Sequence, residues 1–70
     1  MKYVGMKQVT KAVREGKTNM VYIGKDAETK MIADLEDLCK QKGIKIEYIE
    51  SMKELGHMAK IEVKAAAAAE

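Results

Sequence analysis

Three cations and an amide recur at helical spacing near the start of this chain: Lys7, Gln8, Lys11 and Arg14. Positions i, i+4 and i+7 lie on one stripe of an α-helix, so Lys7, Lys11 and Arg14 share a face, with Gln8 beside them in the first turn. Met6, Val9 and Val13, helped by Ala12, recur on the other side and mark a core-facing stripe. Gly5 opens the segment and Gly16 stops it. Free backbone N–H groups at a helix start, two cations and a side-chain amide are equipped to hold phosphates and base edges. This is the chemistry of nucleic-acid recognition. An ordinary solvated helix face carries the same residue types, so the stripe alone leaves both readings open.

No other chemistry is organised as well. His57 is the one histidine, and Cys39 is the one cysteine. Cys39 falls on an apolar helical stripe, which suits a buried structural thiol better than a nucleophile. A redox Cys-x-x-Cys pair and a His/Cys metal cluster are both lacking, and the carboxylates form no converging pair. The sequence therefore points away from an enzyme, and no cofactor or metal is expected.

Seventy residues make a single domain, 1–70, that buries only about 60% of its unfolded surface. With 47% hydrophobic and 34% charged residues, the composition is that of a globular domain. Apolar runs are far shorter than a membrane span and no signal segment opens the chain, so a cytoplasmic location is expected. Net charge is only +2, yet it is unevenly placed. Lys2, Lys7, Lys11, Arg14 and Lys17 face Glu15 alone in residues 1–17, whereas Asp26, Glu28, Asp34, Glu36 and Asp37 face only Lys30 in residues 26–37. Asymmetry of that kind orients a polyanion.

Elements that would position the cationic helix follow from periodicity. Met20 to Ile23 is an unbroken apolar run ending at Gly24, as in a strand buried on both faces. Met31, Ile32, Leu35, Leu38 and Cys39 repeat with a helical period from Thr29 to Lys42, with Gly43 as the stop. Ile44, Ile46 and Tyr48 alternate with Lys45 and Glu47, a strand pattern. Ser51-Met52-Lys53-Glu54 is a capping box opening a helix that carries Met52 and Leu55 inward and frays after Gly56. Ala65 to Ala69 is open to either state, since alanine favours helix but five residues are too few to hold one alone. Alternating strands and helices predict an α/β fold, a three-layer α/β/α sandwich around a small mixed, largely parallel sheet.

The order of these motifs resembles the ribosomal L7Ae and L30e family of kink-turn RNA-binding proteins, especially its short bacterial members. The resemblance rests on Gly5-x-Lys7-Gln8-x-x-Lys11-Ala12 and Gly16, then Tyr22-Ile23-Gly24-Lys25-Asp26-Ala27-Glu28. It continues through Leu38-Cys39, Lys42-Gly43, Glu50-Ser51-x-x-x-Leu55-Gly56 and Ile61-Glu62-Val63. It implies a domain that holds sharply bent RNA, built around tandem sheared G·A pairs and an extruded nucleotide, at one end of its sheet. Lys7 and Gln8 would meet the G·A pairs, Lys11 a phosphate, and Gly5 would let the backbone approach closely. The Lys-Gln pair is that of the bacterial subgroup, where archaeal members have Asn-Glu. Lys60, Ile61, Glu62 and Val63 would lie against the RNA, with Ile61 and Val63 packing on bases around the bend. Glu28 would help hold the extruded base, or serves as ordinary first-turn charge on a helix dipole.

Several positions depart from the family pattern. Lysines stand at 60 and 64 where glycine, or glycine or proline, is usual, and Thr29 replaces a proline. The helix that normally precedes Gly5 and part of the last strand are missing from the alignment of motifs, which leaves one sheet face uncovered and predicts self-association. The expected partner is RNA, from a ribosome or another ribonucleoprotein. The alternative is a protein-interaction module of the same fold without tight RNA binding.

Overall fold

In a computed structural model covering residues 1–70, hydrophobic period and glycine punctuation set the elements. They run β1 (Tyr3–Val4), α1 (Met6–Arg14), β2 (Met20–Gly24), α2 (Thr29–Lys42), β3 (Lys45–Ile49), α3 (Met52–Met58) and β4 (Ala67–Ala69). Gly16 and Gly43 both take the left-handed conformation, each at φ 68°. At both, two successive amides fold back on the helix: Gly16 and Lys17 donate to Val13 and Ala12, and Gly43 and Ile44 donate to Lys40 and Cys39. This Schellman arrangement satisfies carbonyls that the helix end would otherwise leave free.

α3 ends in the same way, but later than the sequence suggests. Gly56 does not stop it; the helix continues to Met58 and Gly56 is buried inside it. Here glycine is required for packing. The Val63 carbonyl lies where a Cβ on Gly56 would project, so only a hydrogen fits. Ser51 Oγ accepts from the Glu54 N–H at 3.0 Å, which is the serine half of the capping box.

The strands lie in the order β1-β4-β2-β3. β2 and β3 are parallel, joined by α2, while β4 runs antiparallel to both β1 and β2. The sheet is mixed, and the expected parallel majority is replaced by a single parallel pair. The reason is the alanine tail: it returns as a central strand between β1 and β2, entering from the end where those strands finish. Ala67, Ala68 and Ala69 are fully buried there, so tertiary contact decided a segment that propensity alone could not.

Side-chain alternation then builds two cores. Val21, Ile23, Ala67 and Ala69 face α1 and α2, meeting Val9, Val13, Leu35 and Cys39. Ile49, Leu55, Ala65 and Ala68 form the second cluster under α3, with Val4, Tyr22 and Ile61 against it. Helices thus cover both faces, giving the three-layer sandwich. Cys39 is buried, as its stripe predicted, and desolvation pushes its thiol pKa up, with the Glu36 charge adding to the effect. Tyr48, on the edge strand, stays 45% exposed and donates its hydroxyl to Glu36 of α2.

Candidate nucleic-acid interface

Three backbone bonds gather three separate segments at one end of the sheet. The Gly5 N–H donates to the Ala67 carbonyl at 2.8 Å, and the Gly24 N–H to the Ala66 carbonyl at 3.0 Å. The Ala65 N–H donates to the Met52 carbonyl at 3.0 Å. The start of α1, the turn after β2 and the loop between α3 and β4 therefore converge where the parallel strands finish. Open α/β sheets bind ligands at that end, because strands stop there and helices begin.

Gly5 precedes α1 at φ 100° and ψ 148°, outside the range that side-chain-bearing residues readily adopt. No side chain caps α1, so its first amides remain available. Gln8 is exposed and its Oε1 accepts from the Val4 N–H over a long 3.4 Å. That bond engages Oε1 and leaves the carboxamide NH2 as a donor without a partner in the protein. Lys7 and Lys11 are exposed and form no salt bridge. The one carboxylate of this region, Glu15, is taken by Lys17 at 3.1 Å. The Lys17 hydrogen bond lowers the Glu15 pKa, and Glu15 in turn raises that of Lys17. Lys7 and Lys11 thus stay out of any salt bridge, although the Lys11 charge adds to the lowering of Glu15.

Arg14 is placed differently. It lies two turns further on, about 10 Å along the axis from Lys7, and leans toward α2. There it lines a groove of ≈ 360 Å³ with Met6, Thr10, Met31, Asp34 and Asp37. Gln8 and Lys11 instead border a cleft on the β1 side with Tyr3 and Glu15. The cationic stripe therefore splits, and only its first turns reach the sheet end.

Glu28 stands immediately before α2 at φ −57°, exposed and without a capping bond, so its carboxylate is free at the β2–α2 turn. Lys60 and Glu62 are exposed on the α3–β4 loop, and Val63 is 70% exposed. Ile61 is half-buried against the second core, so it anchors the loop while Val63 offers apolar surface to the outside. The structure thus brings Gly5, Lys7, Gln8 and Glu28 to one end of the fold, fastens the end of the α3–β4 loop there through Ala65 and Ala66 with residues 60–63 leading into it, and sets Arg14 apart in the α1–α2 groove.

Sequence reasoning missed Asp26. Its Oδ1 accepts the Met52 N–H at 2.7 Å, tying the β2–α2 turn to the start of α3. Lys25, next to it, pairs with Glu50 at 3.5 Å. The available signal was the acidic residue in a Gly-Lys-Asp turn, but its acceptor role depends on a residue 26 positions away.

A small α/β domain with an apolar scaffold here presents a cationic, uncapped helix start at its sheet end, chemistry suited to a polyanion. The chain belongs to the ribosomal protein L7Ae/L30e/S12e/Gadd45 family, which it matches over residues 3–70. It is 52% identical over 67 residues to RNA-binding protein TTE2299 of Caldanaerobacter subterraneus subsp. tengcongensis, covering 96% of this chain and 82% of that protein. Against large ribosomal subunit protein eL8 of Halobacterium salinarum identity is 35%, over 93% of this chain but 55% of the relative. Among solved structures, the Giardia lamblia 15.5kD RNA binding protein superposes with a TM-score of 0.87 at 28% identity, over 94% of this chain and 56% of that one. No helix of the fold is long and apolar enough to cross a membrane.

Proposed function

We propose that this protein binds kink-turn RNA, reading tandem sheared G·A pairs with Lys7 and Gln8 and holding phosphate with Lys11. The observation that carries this reading is the convergence of the α1 start with the β2–α2 turn and the α3–β4 loop, sealed by the Gly5–Ala67 and Gly24–Ala66 bonds. On this reading donors from α1, Glu28 and Val63 meet one RNA, a set that suits a strand with one base turned out of the stack. RNA-binding names among the relatives support the partner class, and the family's ribosomal members support a role on or near the ribosome in the cytoplasm. The activity is binding, without catalysis. Arg14 contributes long-range attraction at most, because Asp34 and Asp37 share its groove.

A gel shift on a kink-turn duplex tests this, with the same duplex carrying Watson–Crick pairs in place of the G·A pairs as control. Selective retention of the kink-turn is expected. Equal absence of both shifts at low salt would leave a protein-interaction module as the better account.

The part of the α3-side sheet face that lies beyond the helix is proposed as a weak contact between two copies. Lys2 and Lys45 stand there beside Glu47 and Glu70, around the half-buried Met20 and Tyr22, so the surface is complementary to itself in charge. Sedimentation at rising concentration should show association; a single monomeric species throughout rules it out.

A further inference from the structure

All three helices end in the same two-bond arrangement, and one of them breaks the residue rule. α1 and α2 place Gly16 and Gly43 at the left-handed position. α3 places Lys60 there, at φ 61°, the only non-glycine residue with positive φ in the chain. Its amide donates to the His57 carbonyl and the next amide, of Ile61, to the Gly56 carbonyl. The motif is complete, so the backbone demands this conformation whatever the residue. A side chain at that position costs stability relative to glycine. The chain has met the same demand with glycine twice, which makes the lysine informative.

Nothing within the protein uses the Lys60 side chain. It is exposed, makes no hydrogen bond and pairs with no carboxylate. Lys64, four residues on in the same loop, is likewise exposed and unpaired. The loop between them is held firmly. Its Val63 backbone rests on buried Gly56, Ile61 is packed into the second core, and its end is fastened through Ala65 and Ala66 beside Gly24. Two free ammonium groups are thus carried on a fixed arm that ends at the proposed RNA-binding end.

We propose that Lys60 and Lys64 form a second, phosphate-binding contact that grips the RNA backbone without reading its bases. This rests on the RNA-binding reading above and adds a division of labour to it. The α1 start discriminates the G·A pairs, while the α3–β4 arm adds affinity common to any RNA of suitable shape. A compact ammonium on a flexible stem suits a phosphate better than a base edge.

Fluorescence anisotropy across a salt series tests the idea on the kink-turn duplex and its Watson–Crick control. Lys60→Gly should raise Tm by a few degrees, because the left-handed strain is relieved. It should also weaken both duplexes by the same factor, roughly three- to tenfold at low salt, and reduce the slope of log K against log salt by about 0.7–0.9. Lys60→Asn, which tolerates the left-handed backbone without charge, should bind like the glycine variant, and Lys60→Arg should bind like the parent. Lys64→Ala should repeat the loss of affinity and slope.

An unchanged salt slope in Lys60→Gly overturns the proposal. So does a loss confined to the kink-turn duplex, or a loss in Lys60→Gly that Lys60→Asn does not share, since loop path and not charge would then be the cause. Failure of the parent protein to bind either duplex would remove the RNA-binding reading itself, and this contact with it.

Discussion

Asp26 Oδ1 accepts the backbone N–H of Met52 at 2.7 Å, fastening the turn after β2 to the first residue of α3. The bond ties the β2–α2 turn, one of the three segments at the proposed RNA-binding end, to the start of α3 across 26 positions of sequence, and the Met52 carbonyl in turn accepts the Ala65 N–H of the α3–β4 loop. It is a charge-assisted bond to an amide that the helix itself cannot satisfy. Asp26→Ala should lower unfolding free energy by about 1–2 kcal/mol in urea titrations. Asp26→Asn retains an acceptor and should recover most of the loss. RNA affinity should fall in the alanine variant alone.

Gly56 offers a sharper structural test. Alanine is normally the better helix former by about 1 kcal/mol. Here its Cβ would meet the Val63 carbonyl, so backbone must move. Gly56→Ala should destabilise the domain by about 2–3 kcal/mol, as overpacking does, and displace the α3–β4 loop. Denaturant midpoints report the first effect, and chemical shifts of residues 60–66 the second.

Lys7→Ala combined with Lys11→Ala separates recognition from folding. Both side chains are exposed and unpaired, so stability should stay within about 0.5 kcal/mol. Kink-turn affinity should drop by about 2–4 kcal/mol, one base-edge contact and one phosphate contact, with a shallower salt dependence. Calorimetry alongside circular dichroism measures the two together.

Alkaline pH should weaken the fold. Burial raises the Cys39 thiol, burial and the Glu70 and Glu47 charges raise Tyr22, and the Glu36 hydrogen bond raises Tyr48. Each of these acids keeps its proton to higher pH when folded than when unfolded. Above about pH 9 the unfolded chain therefore binds fewer protons, and stability declines as pH rises. Urea midpoints should be level near neutrality and fall beyond that point; Cys39→Ala should flatten part of the fall.

The alanine strand should resist enlargement. Ala68 is fully buried in one cluster with Leu55, Ile49 and Ala65. Ala68→Leu raises hydrophobicity, yet thermal unfolding should reveal a loss of about 1–3 kcal/mol from strain.

Much of this protein was legible before any tertiary contact was known. Helical period and flanking glycines located α1 and α2, the apolar run at 20–23 located β2, and the stripe placed Cys39 in the core. These signals are local: side-chain direction repeats with the backbone's own geometry, so sequence spacing suffices. Family membership was legible too, because its motifs keep their order along the chain.

Tertiary structure decided what depends on partners distant in sequence. Alanine carries no periodic signal, and only the gap between β1 and β2 made Ala67–Ala69 a central antiparallel strand. Glycine spacing alone predicts that α3 frays after Gly56, but the Val63 carbonyl resting on it makes Gly56 a packing position inside the helix. Arg14 shared a stripe with Lys7, but the packing of α2 against α1 set it in a groove with two carboxylates. Asp26 acquired its role from Met52. Local spacing tells which way a side chain leaves its own element; what it meets there is set by how the elements pack.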